Sequence, residues 1–382
     1  MPMPHTLVVD DDPAFRDLCQ AMMETNGAET GFVFARNDAE ALSLLATMED
    51  LDLTIIAIDR PEISGMELFR KLPGHGPRLP RIALASNGDL GLIRQAMNRG
   101  AADFLTKPVT GDDLAATIQK VHLQTEERRQ AWRNEVQLSA LRREVELAGH
   151  LQRSIIPNRF PAYPALEIAA RLAPAEEMSG DFYDLFEIDP HRIGIVVADV
   201  TGKGVPAAFF MGVAHTLLRT AAMNGLSPAA CLEQVNNMLC EHTVRGMYVS
   251  AVYAILDTSN WQLEYANGGH PHPLLLRSGG QQVELLEEGA GVVLGVETGL
   301  NYGSFTMPMT PGDTLLLCTD GILEAFSTEH EQFSLPRLIE LLAHEIDNGA
   351  EHTVAKVFSA VRQFADTTGP VDDMTVLALR RC

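Results

Sequence analysis

The chain has 382 residues, 46% hydrophobic and 21% charged, which is enough for two domains with cores of their own. A formal net charge of -22 excludes the basic face that nucleic-acid binding needs. The five scattered cysteines (Cys19, Cys231, Cys240, Cys318, Cys382) form no Cys-x-x-Cys pair, which excludes a zinc knuckle or disulfide framework and points to a reducing cytoplasm. The N-terminus lacks a signal-peptide pattern, and no apolar run is long and charge-free enough to span a bilayer. A soluble, cytoplasmic protein with no membrane partner is therefore expected.

Residues 5 to 120 alternate short apolar runs with amphipathic segments. Leu7–Val9 reads as a strand ending in Asp10-Asp11-Asp12, and Pro13 opens a helix carrying Phe15, Leu18, Cys19 and Met22 at helical spacing. Leu53–Ile58 and Ile82–Ala85 read as buried strands, Leu90–Arg99 and Asp112–Leu123 as helices. Alternating strands and helices predict an α/β, doubly wound parallel sheet, with ligand sites at the carboxyl ends of the strands, where Asp10 and Asp11 fall.

Val8-Val9-Asp10-Asp11, Pro61, Gly65, Gly100-Ala101-Ala102-Asp103-Phe104 and Lys107-Pro108 resemble the motifs of response-regulator receiver domains, over about the first 120 residues. The resemblance implies that Asp10 and Asp11 bind Mg²⁺, that an Asp ending the third strand accepts a phosphoryl group, and that Lys107 contacts it as a point charge. Counting back from Pro61 and Gly65 puts the acceptor position at Ala57, which cannot be phosphorylated. Ala85 stands where the family has a hydroxyl residue, with Ser86 beside it. Two readings stay open: a degenerate receiver that works by contact, or one in which Asp59, two residues late, serves as acceptor. With the third ligand missing, Asp10 and Asp11 are expected to hold Mg²⁺ only weakly.

Between Val121 and Ile156 the first Gly is Gly149, and Pro157, Pro161 and Pro164 end the stretch. Leu138, Leu141, Val145, Ala148, Gln152 and Ile155 follow a 3-4-3-4-3 spacing. This predicts a linker helix that either packs on its own domain or pairs with a second copy in a homodimer.

From about Ala165 short β runs dominate. Leu166–Leu172, Phe182–Ile188, Arg192–Asp199, Ser250–Leu256, Gln262–Ala266, Leu274–Arg277 and Thr314–Cys318 read as strands. Val205–Asn224, Pro228–Val244, Leu335–Asp347 and Glu351–Ala365 read as helices, giving an α+β layered fold. Four acidic islands lie beside the apolar runs: Ser179–Asp184, Ala198–Gly204, Thr319-Asp320-Gly321 and Asp372–Thr375. Carboxylates at strand ends without basic partners form a pocket for a hard cation, Mg²⁺ or Mn²⁺.

These islands, with Glu144–Pro157, Asn267–Pro271 and Thr319–Ala325, resemble the PPM (type 2C) metal-dependent protein phosphatases of the SpoIIE/RsbU branch. The resemblance implies a β-sandwich flanked by helices and two Mn²⁺ or Mg²⁺ ions. Asp199 would bridge them, with the Val200 carbonyl on one ion; Asp320 and Asp372 would complete the other site. Asp181 would contact metal-bound waters, and Asp373 is a further candidate. Asp184 reads better as an ordinary strand carboxylate, Lys203 as a solvated loop lysine and His270 as structural. Eukaryotic members carry a His two residues after the bridging Asp; here that place holds Thr201, so the general acid is unassigned. The implied reaction is hydrolysis of phosphoserine or phosphothreonine on a regulatory protein, a STAS-type anti-sigma-factor antagonist. The alternative is an adaptor that acts by binding, although such an adaptor need not keep Asp181, Asp199, Asp320 and Asp372. No P-loop favours a nucleotide enzyme. The expected division is a receiver-like domain at 1–122, a helical linker at 123–160 and a phosphatase domain at 161–382.

Overall fold

The computed structural model describes residues 5–25, 31–60, 65–71, 79–160, 162–163, 165–242, 246–278, 282–289, 291–344, 349–365 and 372–382. Pro61, Pro161 and Pro164 lie outside them. The chain divides into two compact units, Met1–Ala140 and Leu141–Cys382.

In the first unit, β1 (His5–Val9), α1 (Pro13–Thr25), β2 (Gly31–Ala35), α2 (Asp38–Thr47), β3 (Leu51–Ala57), α3 (Gly65–Lys71), β4 (Arg81–Ala85), α4 (Leu90–Asn98) and β5 (Asp103–Thr106) follow in order, and α5 (Gly111–Ile155) begins in this unit and ends in the second. The strands form one parallel sheet in the order β2-β1-β3-β4-β5. That order reverses between β1 and β3, so a crevice opens beyond their carboxyl ends. The strands are buried on both faces, as parallel strands covered by helices must be: Leu7, Val9 and Ile56 belong to one core cluster, Val8, Leu53 and Ile55 to the other. Gly65 seats α3 on the end of β3, where any Cβ would collide with the Ala57 carbonyl.

The helix expected over Asp112–Leu123 and the linker helix are one element, the 45-residue α5. No Gly or Pro interrupts it between Gly111 and Gly149. Leu114, Ile118 and Val121 join the core of the first unit, and Gln152 is buried in the second. Among the described residues no helix is long and apolar enough to cross a membrane.

The second unit continues with β6 (Leu166–Ala173), β7 (Phe182–Glu187), β8 (Arg192–Val200), α6 (Gly204–Met223), α7 (Pro228–His242), β9 (Val249–Asp257), β10 (Gln262–Gly268), β11 (Leu274–Arg277), β12 (Gln282–Leu285), β13 (Phe305–Pro308), β14 (Thr314–Cys318), α8 (Asp320–Leu323), α9 (Ser334–Ala343), α10 (Ala350–Ala365) and β15 (Met374–Arg381). Two antiparallel sheets result, β13-β10-β9-β8-β7 and β12-β11-β14-β15-β6. The period of two sorts the side chains. Leu315, Leu317, Leu377 and Leu379 face the core between the sheets; Leu316, Cys318, Val376 and Ala378 face α9 and α10. Helices α6 and α7 cover the outer face of the first sheet, contributing Met211, Leu218, Leu232 and Val235. The result is a β-sandwich flanked by helices. Fully buried Tyr253, Tyr265 and Phe182 are among its largest core side chains, and burial of a phenylalanine such as Phe182 is worth about 1.5–3 kcal/mol.

Gly149 lies where α5 crosses the Glu177 carbonyl, and a Cβ there would collide with that oxygen. In a free helix Gly→Ala stabilises by about 1 kcal/mol. Here the sign is expected to reverse: Gly149→Ala lowers the urea midpoint of the full chain, and an unchanged or raised midpoint would contradict this packing.

Candidate metal centre

The four acidic islands sit at one end of the sandwich because of strand register. The start of β7 pairs with the end of β8 (Phe182 with Ala198), and the end of β14 pairs with the start of β15 (Cys318 with Val376). Asp181 therefore precedes β7, Asp199 closes β8, Asp320 opens α8 just after β14, and Asp372 and Asp373 precede β15. Gly321 permits the close approach, since a Cβ on it would collide with the Asp373 carbonyl. A Cβ on Gly180 would come within 2.7 Å of the Val200 carbonyl oxygen, so that carbonyl is reached only past a glycine.

Asp181 is the pivot. It is 1% exposed, and Thr319 Oγ1 and Thr375 Oγ1 each donate to its Oδ2 at 2.7 Å. The two threonines are joined in turn, Thr375 N donating to Thr319 Oγ1 at 2.9 Å. Thr319, just after β14, and Thr375, in β15, thus hold a carboxylate that leads into the first sheet. Asp373 is committed differently from the sequence expectation. Its two oxygens accept from Ala175 N and Gly180 N, both at 2.8 Å, so it braces the loop that carries Asp181.

The electrostatics are those of crowded anions. Burial, then the Asp199 charge, push the Asp181 carboxyl well above its usual range, against the pull of the two hydroxyls. Burial, then Asp320, push Asp199 up to about 7. Burial, then Glu324 and Asp372, raise Asp320. Asp372 meets Lys203, whose Nζ lies 3.0 Å from its Oδ1, so Lys203 is a rim charge of this centre and not a bystander. Among the described residues no three such side chains close into a finished metal cage, an arrangement in keeping with mutual repulsion among these anions. The donor set, carboxylates beside a backbone carbonyl, fits Mg²⁺ or Mn²⁺.

Asp184 makes its contacts outside this group. It is buried, with Arg219 Nη1 at 2.5 Å and His215 Nε2 at 2.9 Å from its Oδ2. Burial raises its carboxyl, but the His215 and Arg219 hydrogen bonds outweigh that and leave it low. His270 lies in the turn that follows β10. It is buried, its Nδ1 lies 2.7 Å from Ser250 Oγ, and burial drives its pKa down to about 3. Thr201 Oγ1 donates to the Tyr248 carbonyl at 3.2 Å.

Gln152, a seam position of the linker by its spacing, is buried in the second unit. Its Nε2 donates to the Ser179 carbonyl at 2.5 Å and its Oε1 accepts from Ser179 N at 3.0 Å. Arg153 adds a bond to the Glu177 carbonyl at 3.1 Å. The end of α5 therefore grips the loop two residues before Asp181. A polar residue at an otherwise apolar seam was the one signal in the sequence.

In the first unit, Ala57 ends β3, one step beyond the Val9–Ile56 pair and so beside Asp10. Asp59 points to the end of β4, where its carboxylate accepts from Ser86 N at 2.6 Å and Ser86 Oγ at 3.2 Å. Lys107 lies between Asp10 (2.5 Å) and Asp12 (2.7 Å). Asp11 approaches Arg60, its Oδ1 3.5 Å from Arg60 Nε.

With this geometry in hand, the comparisons with known proteins are consistent. The pattern of the Stage II sporulation protein E (SpoIIE) family matches residues 189–382, and that of the response regulator receiver domain matches residues 6–119. Phosphoserine phosphatase RsbU of Bacillus subtilis is 30% identical over 241 residues, covering 63% of this chain and 71% of the relative. Phosphoserine phosphatase RsbP of the same organism is 26% identical, covering 61% of this chain and 56% of that one. Among solved structures, the SiaA-PP2C domain of Pseudomonas aeruginosa shares the fold at TM-score 0.57 and 23% identity, over 64% of this chain and 98% of that one. The RsbU and RsbW domains of a Mycobacterium tuberculosis protein match at TM-score 0.50 and 28% identity, over 58% of this chain and 61% of that one. Fold and site together define a phosphatase of the PPM class behind a receiver domain. The chain belongs to the SpoIIE family.

The crowding of carboxylates has a measurable cost in the metal-free protein. Asp199, raised to about 7 in the fold, favours folding while protonated and loses that contribution as pH rises through about 7. Asp199→Asn is therefore expected to raise the Tm of metal-stripped protein at about pH 8, by on the order of 2 kcal/mol in stability, and to change it little near pH 4. A substitution that destabilises equally at both pH values would contradict the account.

Proposed function

We propose that this chain is a divalent-metal-dependent serine/threonine phosphoprotein phosphatase. The observation that carries the reading is the gathering of Asp181, Asp199, Asp320 and Asp372 at one end of the sandwich, three of them with raised carboxyl pKa values. Such a cluster calls for cations. Likeness to RsbU and RsbP, both named phosphoserine phosphatases, supports the same conclusion.

Asp199 and the Val200 carbonyl would hold one ion, and Asp199, Asp320 and Asp372 the other. Divalent ions held there supply an activated water at neutral pH and neutralise phosphoryl oxygens. The chain does the rest. Thr319 and Thr375 fix Asp181, which orders water at the site; Asp373 fixes the loop from Ala175 to Gly180; Lys203 adds positive charge at the rim. No thiol or hydroxyl nucleophile is called for, and burial pushes the nearby Cys318 thiol up to about 12, far from a reactive thiolate.

The substrate class is a cytoplasmic regulatory protein carrying phosphoserine or phosphothreonine, a STAS-type antagonist by analogy with the RsbU likeness. Leu138 and Leu141, exposed on α5, suit pairing with a second copy. The receiver unit and α5 supply control by contact.

Purified protein is expected to hydrolyse a phosphoserine protein and p-nitrophenyl phosphate with Mn²⁺. Asp199→Ala or Asp320→Ala should lower kcat more than ~100-fold, beyond what losing an outer partner of a metal ligand costs. Activity that survives both changes, or that survives chelation, would sink the assignment.

A further inference from the structure

We infer that Arg60 and Lys107 fill, as fixed side-chain cations, the place where a receiver domain holds its divalent ion. The receiver unit would then keep one charge state without metal or phosphoryl group.

The acidic cluster at the β1/β3 crevice consists of Asp10, Asp11 and Asp12. Arg60, three residues beyond Ala57, reaches all three: its Nη2 donates to Asp12 Oδ2 at 3.1 Å, and its Nε lies 3.5 Å from Asp11 Oδ1 and 3.7 Å from Asp10 Oδ1. Lys107 Nζ meets two of these carboxylates, 2.5 Å from Asp10 Oδ2 and 2.7 Å from Asp12 Oδ2, the oxygen it shares with Arg60. The Asp10 side chain is only 1% exposed and that of Lys107 12%, so solvent screens these pairs little.

Two atoms here are buried without a hydrogen-bond partner, Asp10 Oδ1 and Arg60 Nε. One is an acceptor and the other a donor, and they face each other. A small contraction would join them, so the orphaned carboxylate oxygen needs no metal to explain it. A guanidinium suits this task better than an ammonium. It is planar, weakly hydrated and can address several carboxylates at once.

The surroundings agree. Ala57 offers no acceptor, and Asp59 is tied to Ser86 at the end of β4. With Arg60 in the crevice, Mg²⁺ would have to displace a guanidinium from three carboxylates. The family's metal therefore does not fit these residues as they stand, contrary to the weak Mg²⁺ expected from the sequence.

Peptide-resolved hydrogen exchange on the full chain tests this, with and without millimolar MgCl₂. In the wild type, peptides covering residues 5–20 and 100–110 are expected to exchange at the same rate in both conditions. Arg60→Ala, and Arg60→Gln as a second variant that keeps bulk, should show Mg²⁺-dependent slowing there. Peptides around Asp199 and Asp320 report separately on the proposed phosphatase centre, so failure of that reading is distinguishable. Mg²⁺-dependent slowing at Asp10–Asp12 in the wild type would overturn the inference, and so would its absence from both variants.

Discussion

Everything at the active end of this molecule depends on one buried carboxylate. Asp181 leads into the first sheet, yet the hydroxyls of Thr319, just after β14, and Thr375, in β15, are its hydrogen-bond donors. A carboxylate taken out of water must find charge or hydrogen bonds, or it takes up a proton. Burial, and after it the Asp199 charge, drive its carboxyl up against the pull of the two hydroxyls. The sandwich thus closes around an electrostatic debt that a divalent cation is suited to settle.

The same loop is held from two further directions. Asp373 accepts from Ala175 N and Gly180 N, and Gln152 of α5 brackets the Ser179 peptide group. Hydrogen bonds to a charged acceptor are stronger than neutral ones, about 1.5–3 kcal/mol against about 1. The Asp373 brace therefore sets the loop, and Gln152 couples it to the helix. The two halves of the chain contrast in how they treat acid clusters. The second unit leaves Asp199 and Asp320 without a salt bridge among the described residues, while the first covers Asp10, Asp11 and Asp12 with Arg60 and Lys107.

Much of this was legible in the sequence, for identifiable reasons. Strands β11 and β14 have the bounds expected because each is an unbroken apolar run between turn residues. Strands β12 (Gln282–Leu285) and β13 (Phe305–Pro308) were missed because each is only four residues long and none of their residues is fully buried. The four islands were visible because each sets an Asp at the end of a buried apolar strand. The roles of Thr319, Thr375 and Asp373 were not, since a hydroxyl or carboxylate in a motif gives no sign of which backbone or side chain it meets. Arg60 left no signal either: a basic residue after a strand reads as a solvated loop charge, and only the fold shows it turned toward Asp12. Gln152 read as one more position of a heptad.

The central claim is that the carboxylates around Asp199 exist to hold divalent ions. Counting bound Mn²⁺ by electron paramagnetic resonance on the full chain tests it most directly. The account predicts two ions per chain, with binding lost or halved in Asp199→Asn and unaffected in Asp184→Asn. A chain that hydrolyses phosphoserine while binding no Mn²⁺, or that loses its ions with Asp184 and not with Asp199, would contradict it.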